Sequence, residues 1–505
     1  MNIKGNLWHD THVRMWVLLT LWASAVLMLM CISSPIHHIY NRIDSAWFFM
    51  GGKAMMNGMA PYVDFTDSKG PLLWLIYGIG YRLSPQSYFG VYVMACLAYG
   101  VTLYFNWRTV MLLLGDTRRA LLATVAMTWI YFLYWFCNDI RAEDFCNVFV
   151  AVSLLVVMRL LTTGRGGRTA ARRDGLVLGA SFMALVLIKW NVAAMQATLV
   201  AAALWYYWRE KRQGLQTLGA AVAGAAAVAL PFVVYLAVMG SLGGFVEEYF
   251  VNTLGTVEGD DGLIGSLQDE MARSWRTPAR QTLLLVIVAG GWLVSRRLKC
   301  YRWVPLLTGL TFYVLSTVHY LGHYYSVCSI FCIFSVAHVV SYASKPLHLR
   351  HLAAAAAAVL CWGVFENVRE GSPLKKVTLW CSGEDSVNYV HIQRISHGLD
   401  GVYKPRIINL YGSEYGFGVE QESLPAGKHW TYQLGMTPAM VEEHKALLRS
   451  GRADFVVVGN EERCDGAGFT KEVIESYGYR QVLRQPYVYY HDAQRIAAIY
   501  RRRKD

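Results

Sequence analysis

The chain has 505 residues, 55% hydrophobic and only 16% charged, against about 25% charged in an ordinary soluble domain. That composition excludes a soluble enzyme on one anchor and points to a polytopic α-helical membrane protein with some soluble mass; the 17 Trp and 31 Tyr suit two membrane interfaces, where amphipathic rings collect. The net charge of +12 is no sign of nucleic acid, because Lys and Arg cluster in short loops between apolar segments, as cytoplasmic loops require.

A spanning helix needs about 20 apolar residues to cross about 30 Å of hydrocarbon. Candidates lie near 15–33, 88–113, 119–136, 145–163, 215–239, 279–295, 303–318, 324–343 and 352–366. No small-residue cleavage site follows the first, so Met15 to Ser33 is expected to stay as a transmembrane helix. Next comes Arg42 to Pro71, RIDSAWFFMGGKAMMNGMAPYVDFTDSKGP. It opens with Asp44, continues as an amphipathic helix-length run closing at Asn57-Gly58, and ends in a polar turn with Asp64, Asp67 and Lys69.

Charge decides two ambiguous regions. Pro71 to Ser84 is apolar, but its roughly 14 residues reach only about 21 Å. If it crossed, Arg165, Arg168, Arg172 and Arg173 would fall outside with one acid, Asp174. It is therefore expected to lie as a helix at the outer interface, so that the first outer loop runs over 34–86. Gly175 to Trp208 is interrupted by Lys189-Trp190-Asn191. Folded as a hairpin, it keeps Arg209, Lys211 and Arg212 cytoplasmic and sets Lys189 at the outer face. The expectation is about eleven spanning helices, with the N-terminus cytoplasmic and the C-terminus outside. The outer loop 241–278 is acidic.

After residue 366 no spanning run remains. RIINLYG (406–412) and ADFVVVGN (453–460) read as short buried strands. PAMVEEHKALLRSG (438–451) and TKEVIESYG (470–478) read as amphipathic helices ending at glycine, and VLRQPYVYYHD with RIAAIYRRR as a terminal hairpin. The division is a membrane domain, 1–366, and a small α/β extracytoplasmic domain, 367–505. Of the cysteines, Cys381 and Cys464 sit in this polar part and have the option of one disulfide if it is outside.

The outer ends of the apolar segments collect the candidate groups: Asp44; Asp67 and Lys69; Asp139, Arg141, Glu143 and Asp144 in CNDIRAEDF; Lys189; and His319 and His323 in HYLGHYY. Charges beside apolar segments pair, snorkel or work. Each has a plain reading. Asp44 precedes a helical run and suits an N-cap, a role compatible with catalysis. Asp67 to Pro71 is an ordinary helix entry with Pro at the first position. Arg141 with Glu143 makes an interfacial ion pair. Lys189 snorkels. His319 and His323 share a helix face without the HExxH pattern of a zinc site, which leaves packing or phosphate contact.

Taken in order, these motifs resemble the GT-C membrane glycosyltransferases, in particular the group of protein O-mannosyltransferases and the lipid A aminoarabinose transferase. The likeness rests on Asp44 after the first helix, on PYVDFTDSKGPLLWL (61–75), on the 71–84 helix, on IRAED (140–144), on Lys189, on HYYSV (323–327) and on a terminal outer α/β domain. Relatives often carry Asp-Glu where this chain has Asp44-Ser45, and Lys-Pro-Pro where it has Lys69-Gly70-Pro71. The resemblance implies an inverting glycosyltransferase that moves a sugar from a polyprenyl-phosphate donor to an acceptor hydroxyl, on lipid, glycan or protein, at the outer face of a membrane, expected to be a bacterial inner membrane. It implies Asp44 as base, Lys69, Arg141, Lys189 and His323 around the donor phosphate, and Asp67, Asp139, Glu143 and Asp144 as supporting acids. A divalent metal, Mg or Mn, on Asp44 and Glu143 is one option; the other is that Glu143 orients Arg141. The competing functions are a transporter or flippase of a lipid-linked glycan, and a non-catalytic membrane protein that binds glycan.

Overall fold

The computed structural model describes residues 11–31, 33–35, 43–132, 139–255, most of 265–317, 322–342, 348–369, 397–410, 416–431, 438–489 and 493–503. The protein is mostly helical. Among the described residues six helices are long and apolar enough to cross a membrane, and three shorter apolar helices accompany them. The first eight helices are α1 (Thr11–Met30), α2 (Ile43–Met56), α3 (Pro71–Leu83), α4 (Phe89–Leu114), α5 (Thr117–Phe132), α6 (Ala142–Thr163), α7 (Arg168–Arg209) and α8 (Gly214–Val238). The chain forms two compact units. One holds 1–30, 95–234 and 252–372; the other holds 31–94, 235–251 and 373–505.

In the first unit α7 tests the charge argument most sharply. Its helical geometry breaks at Lys189, at φ −157° and ψ 96°. A straight helix would put residues 174 and 207 about 50 Å apart. Instead the Tyr207 hydroxyl donates to the Asp174 carboxylate at 2.7 Å. The run is thus a hairpin with Lys189 at its tip, and each arm has the length of one span.

Polar contacts stitch α6 to this hairpin at three levels. Arg159 pairs with buried Asp174 near one end. Gln196 donates to Ser153 at 2.8 Å in the middle. Lys189 meets Glu143 at the other end. Groups that would be costly alone in an apolar interior are thus each paired with another, although Arg159 Nε and Gln196 Oε1 stay without a hydrogen bond.

In the second unit α2 packs on α3. A Cβ at Gly52 would stand 2.5 Å from the Gly78 backbone nitrogen, so glycine sets how closely the two helices approach. The expected amphipathic character of α2 is not what is found. Residues 45–54 are buried without a break, because neighbours cover the helix on every side, and an apolar all-round sequence is what such a position demands.

The same unit contains a five-stranded sheet: β1 (Arg406–Leu410), β2 (Leu424–Pro425), β3 (Phe455–Val458), β4 (Tyr479–Tyr489) and β5 (Ala493–Arg502), ordered β2-β1-β3-β5-β4. β1 runs parallel to β2 and β3; β5 is antiparallel to β3 and β4. The expected strands, helices and terminal hairpin are all present. Ile408, Leu410, Val456, Val458 and Tyr500 pack with Leu448 of the helix Pro438–Ser450 and with Ile474 of the helix Lys471–Ser476. β3 is buried along its whole length, as a strand inside a covered sheet should be. Cys464 is a free thiol in this core, with its Sγ donating to the Leu410 carbonyl at 3.6 Å. Among the described residues it has no disulfide partner; Cys381 lies outside them.

Candidate active site

The first unit gathers one set of the expected residues. Glu143 lies in the first turn of α6 and is buried. Its carboxylate accepts from the Lys189 ammonium, itself only 6% exposed. His323, in the 3₁₀ segment Gly322–Cys332, brings Nε2 to 4.0 Å from the same Glu143 oxygen. The Tyr324 ring centroid stands 3.4 Å from Lys189 Nζ, and the His323 and Tyr324 rings meet edge to face at 4.7 Å. A carboxylate, an ammonium, an imidazole and an aromatic face thus converge at the point where the α7 helix breaks. His319 lies outside the described residues.

Glu143 therefore turns to Lys189 and not to Arg141. The reason is position. Glu143 lies in the first turn of α6 with its carboxylate on the hairpin tip, whereas Arg141 is the N-cap residue. The neighbouring acids serve the backbone. Asp144 accepts from the Arg141 N–H at 2.8 Å, which is half of a capping box. Asp139, 2% exposed, accepts from the Ile140 N–H at 2.9 Å. Together they fix the turn that presents Arg141 and Glu143.

The second unit holds Asp44, Asp67 and Lys69. Asp44 falls within the first turn of α2, slightly inside the capping position expected for it. An acid there is favoured by the helix dipole. Lys69 Nζ donates to Ser68 Oγ at 2.9 Å, lies 3.9 Å from the Asp67 carboxylate, and sits 5.5 Å from the Phe48 ring centroid. The loop that carries them is tightly specified. Tyr62 adopts a left-handed backbone at φ 64°, which costs a non-glycine residue about 1–2 kcal/mol. It is held there by its N–H to Phe65 O at 2.6 Å, its hydroxyl to Lys69 O at 2.8 Å, and its ring against Trp74 at 4.8 Å. Asp64 closes the same turn by accepting from the Ala60 N–H at 2.7 Å. Strain that persists under such over-determination is a mark of functional loops.

The two residues weighed as metal ligands, Asp44 and Glu143, fall in different units. Among the described residues no group of three or more His, Cys, Asp or Glu is arranged to hold a metal ion. A cation on Glu143 would sit beside the Lys189 ammonium, so that oxygen is a poor ligand for one.

Three buried or covering groups escaped the sequence reading. Tyr324 covers Lys189. Arg280, 4% exposed, lies 5.3 Å from the Tyr325 ring centroid. Lys53 is wholly buried in α2. Only Lys53 had a visible signal: it is the single charge in the run between Asp44 and Asp64.

The described residues combine helices of membrane-spanning length with a mixed five-stranded sheet towards the C-terminus. No family model matches the sequence, and no curated protein is similar to it. Among solved structures, ArnT from Cupriavidus metallidurans in the apo state is similar over 96% of this chain and 97% of its own, at a TM-score of 0.56 and 13% identity. ArnT from the same organism bound to undecaprenyl phosphate gives 0.54 at the same coverage and identity. The Archaeoglobus fulgidus oligosaccharyltransferase in the apo form covers 98% of this chain and 75% of its own at 11% identity, with a TM-score of 0.44, too low to carry an argument. At these identities the likeness is one of fold.

Proposed function

We propose that this protein is an inverting membrane glycosyltransferase that transfers a sugar from a polyprenyl-phosphate donor to an acceptor hydroxyl at the outer face of the membrane. The observation that carries the reading is the cluster of buried Glu143 and Lys189 with half-buried His323 and Tyr324 at the break of α7, in a fold similar to that of a protein crystallised with undecaprenyl phosphate. A prenyl tail would stay in the bilayer while its phosphate reaches the helix ends. No nucleotide site is then needed.

In this reading about eleven helices span a bacterial inner membrane, with the N-terminus cytoplasmic. Residues 1–366 form the catalytic membrane domain, and residues 367–505 form an outer α/β domain that shapes acceptor access. Asp44 takes the proton of the acceptor hydroxyl as its oxygen attacks the anomeric carbon. The bond from that carbon to the lipid phosphate breaks, and the phosphate leaves with the electron pair, inverting the centre. Base assistance of this kind contributes typically 10²–10⁴-fold. Fixed cations stabilise the charge that develops on the leaving phosphate: Lys69, Arg141, Lys189 and His323. Asp67, Asp139, Glu143 and Asp144 hold those cations and their turns. The acceptor is a lipid, a glycan or a protein.

The test is transfer of labelled sugar from a polyprenyl-phosphate donor in proteoliposomes, with Lys189→Met and His323→Ala beside the parent protein. The reading expects transfer by the parent and a loss of at least about tenfold in each variant. Passage of a lipid-linked glycan across the bilayer without any transfer would instead identify a flippase.

A further inference from the structure

Lys53 belongs to the turn of α2 farthest from Asp44, and no side-chain carboxylate pairs with it among the described residues. Its Nζ donates to two backbone carbonyls of the C-terminal part of the chain, Gly418 O and, at 3.0 Å, Gln421 O. The two segments approach closely there: a Cβ at Gly418 would stand 2.7 Å from Met50 Sδ on α2. Around this contact the same two segments meet again. Lys404 donates to Asn57 Oδ1 at 2.7 Å. The Tyr81 hydroxyl of α3 donates to Glu422 at 3.1 Å. Farther along, the Thr66 N–H donates to Lys428 O at 3.1 Å, and the Trp47 and Trp430 rings lie 5.8 Å apart.

We propose that Lys53 is a positioning residue: it pins the C-terminal α/β domain to the helix that carries Asp44, so that this domain is part of what holds the catalytic loop in place and not a separate acceptor-binding module. The proposal rests on the reading of Asp44 as the base. A lysine buried against two carbonyls has two acceptors to satisfy, which a neutral amine does with its two N–H bonds and no uncompensated charge.

The pin responds to pH in a definite direction. Burial lowers Lys53 from 10.5 to about 7; Glu422 opposes that shift and Lys404 adds to it. Among the described residues these two, with Tyr81 bonded to Glu422, are the titratable groups that face it. Released, Lys53 is an ordinary lysine that keeps its proton to about 10.5. Between pH 7 and 10.5 the released form therefore carries the extra proton. Docking tightens as pH rises through that window, by up to about tenfold per unit. Below pH 7 both forms are protonated and the dependence vanishes.

The experiment measures the distance distribution between bioorthogonal spin labels at two exposed positions, Val63 on the loop and Val482 on β4, in the full chain in nanodiscs, beside the transfer assay. The parent protein should narrow its distribution from pH 7 to 9. Lys53→Met should broaden it, abolish the pH response, and lower kcat by roughly 10–100-fold while donor KM moves by less than about twofold. Glu422→Gln, which keeps the lysine, should move the onset of the pH response below 7, and it decides the matter if Lys53→Met does not fold. A Lys53→Met protein with the parent's distribution, or a parent protein with no pH response, overturns the pin. If Lys53→Met broadens the distribution while Asp44→Asn transfers normally, the pin stands and the assignment of the base fails.

Discussion

Lys53 and Lys189 are both almost lost to solvent, at 0% and 6% exposure, and their surroundings differ in kind. Lys189 lies against a carboxylate, an imidazole and an aromatic face. That setting offers an ammonium an opposite charge and an aromatic face, as the proposed contact with an anionic phosphate requires. Lys53 lies against two carbonyl oxygens, a setting that favours the neutral amine. The first is built to present a charge, the second to hold two segments together. A buried lysine is therefore read from its partners, because burial alone is common to both.

Glu143→Ala should break this contrast most violently. It leaves the Lys189 ammonium buried without its carboxylate, a loss of about 3–5 kcal/mol, seen as a large fall in melting temperature in detergent. The double variant Glu143→Leu with Lys189→Met removes both charges, and should recover much of that stability while leaving transfer abolished. Recovery of transfer as well would mean that the pair is structural. Lys53→Met should cost less, about 1–3 kcal/mol for carbonyls left without a donor, reduced by the penalty no longer paid for burying the amine. Its melting temperature should therefore fall less than that of Glu143→Ala at every pH. Tyr324→Leu keeps the apolar cover over Lys189 and loses the ring face, about 0.5–2 kcal/mol; weaker donor binding with an intact fold is the expected result. Asp64→Ala removes one turn hydrogen bond on the Tyr62 loop, about 1 kcal/mol, and a calorimetric scan should find little more.

The contrast also marks what the sequence could disclose. The hairpin at Lys189 was legible, because the arginines at 165–173 and the basic residues at 209–212 can share one side of a membrane only if the chain turns between them. The strands at 406–410 and 455–458 and the terminal hairpin were legible from their apolar runs and turn residues. The partners were not. Glu143 stands two residues from Arg141, and proximity in sequence suggested the wrong pair; helix geometry aims Glu143 at a lysine 46 residues away. Lys53 bonds to carbonyls more than 360 residues distant, and main-chain oxygens leave no signature in side-chain composition. The short edge strand β2 was equally hidden, since two residues carry no periodicity. Asp44, at the start of α2, was visible as an acid at a helix end, but its chemistry is not written in its neighbours.

That residue bears the heaviest claim, and one comparison tests it most directly. Purified parent protein and Asp44→Asn, in proteoliposomes at equal amount and with matched melting temperatures, are given a polyprenyl-phosphate-linked labelled sugar and membrane acceptors. The account predicts transfer by the parent and a fall of about 10²–10⁴-fold in the variant. Equal transfer by the two would contradict it.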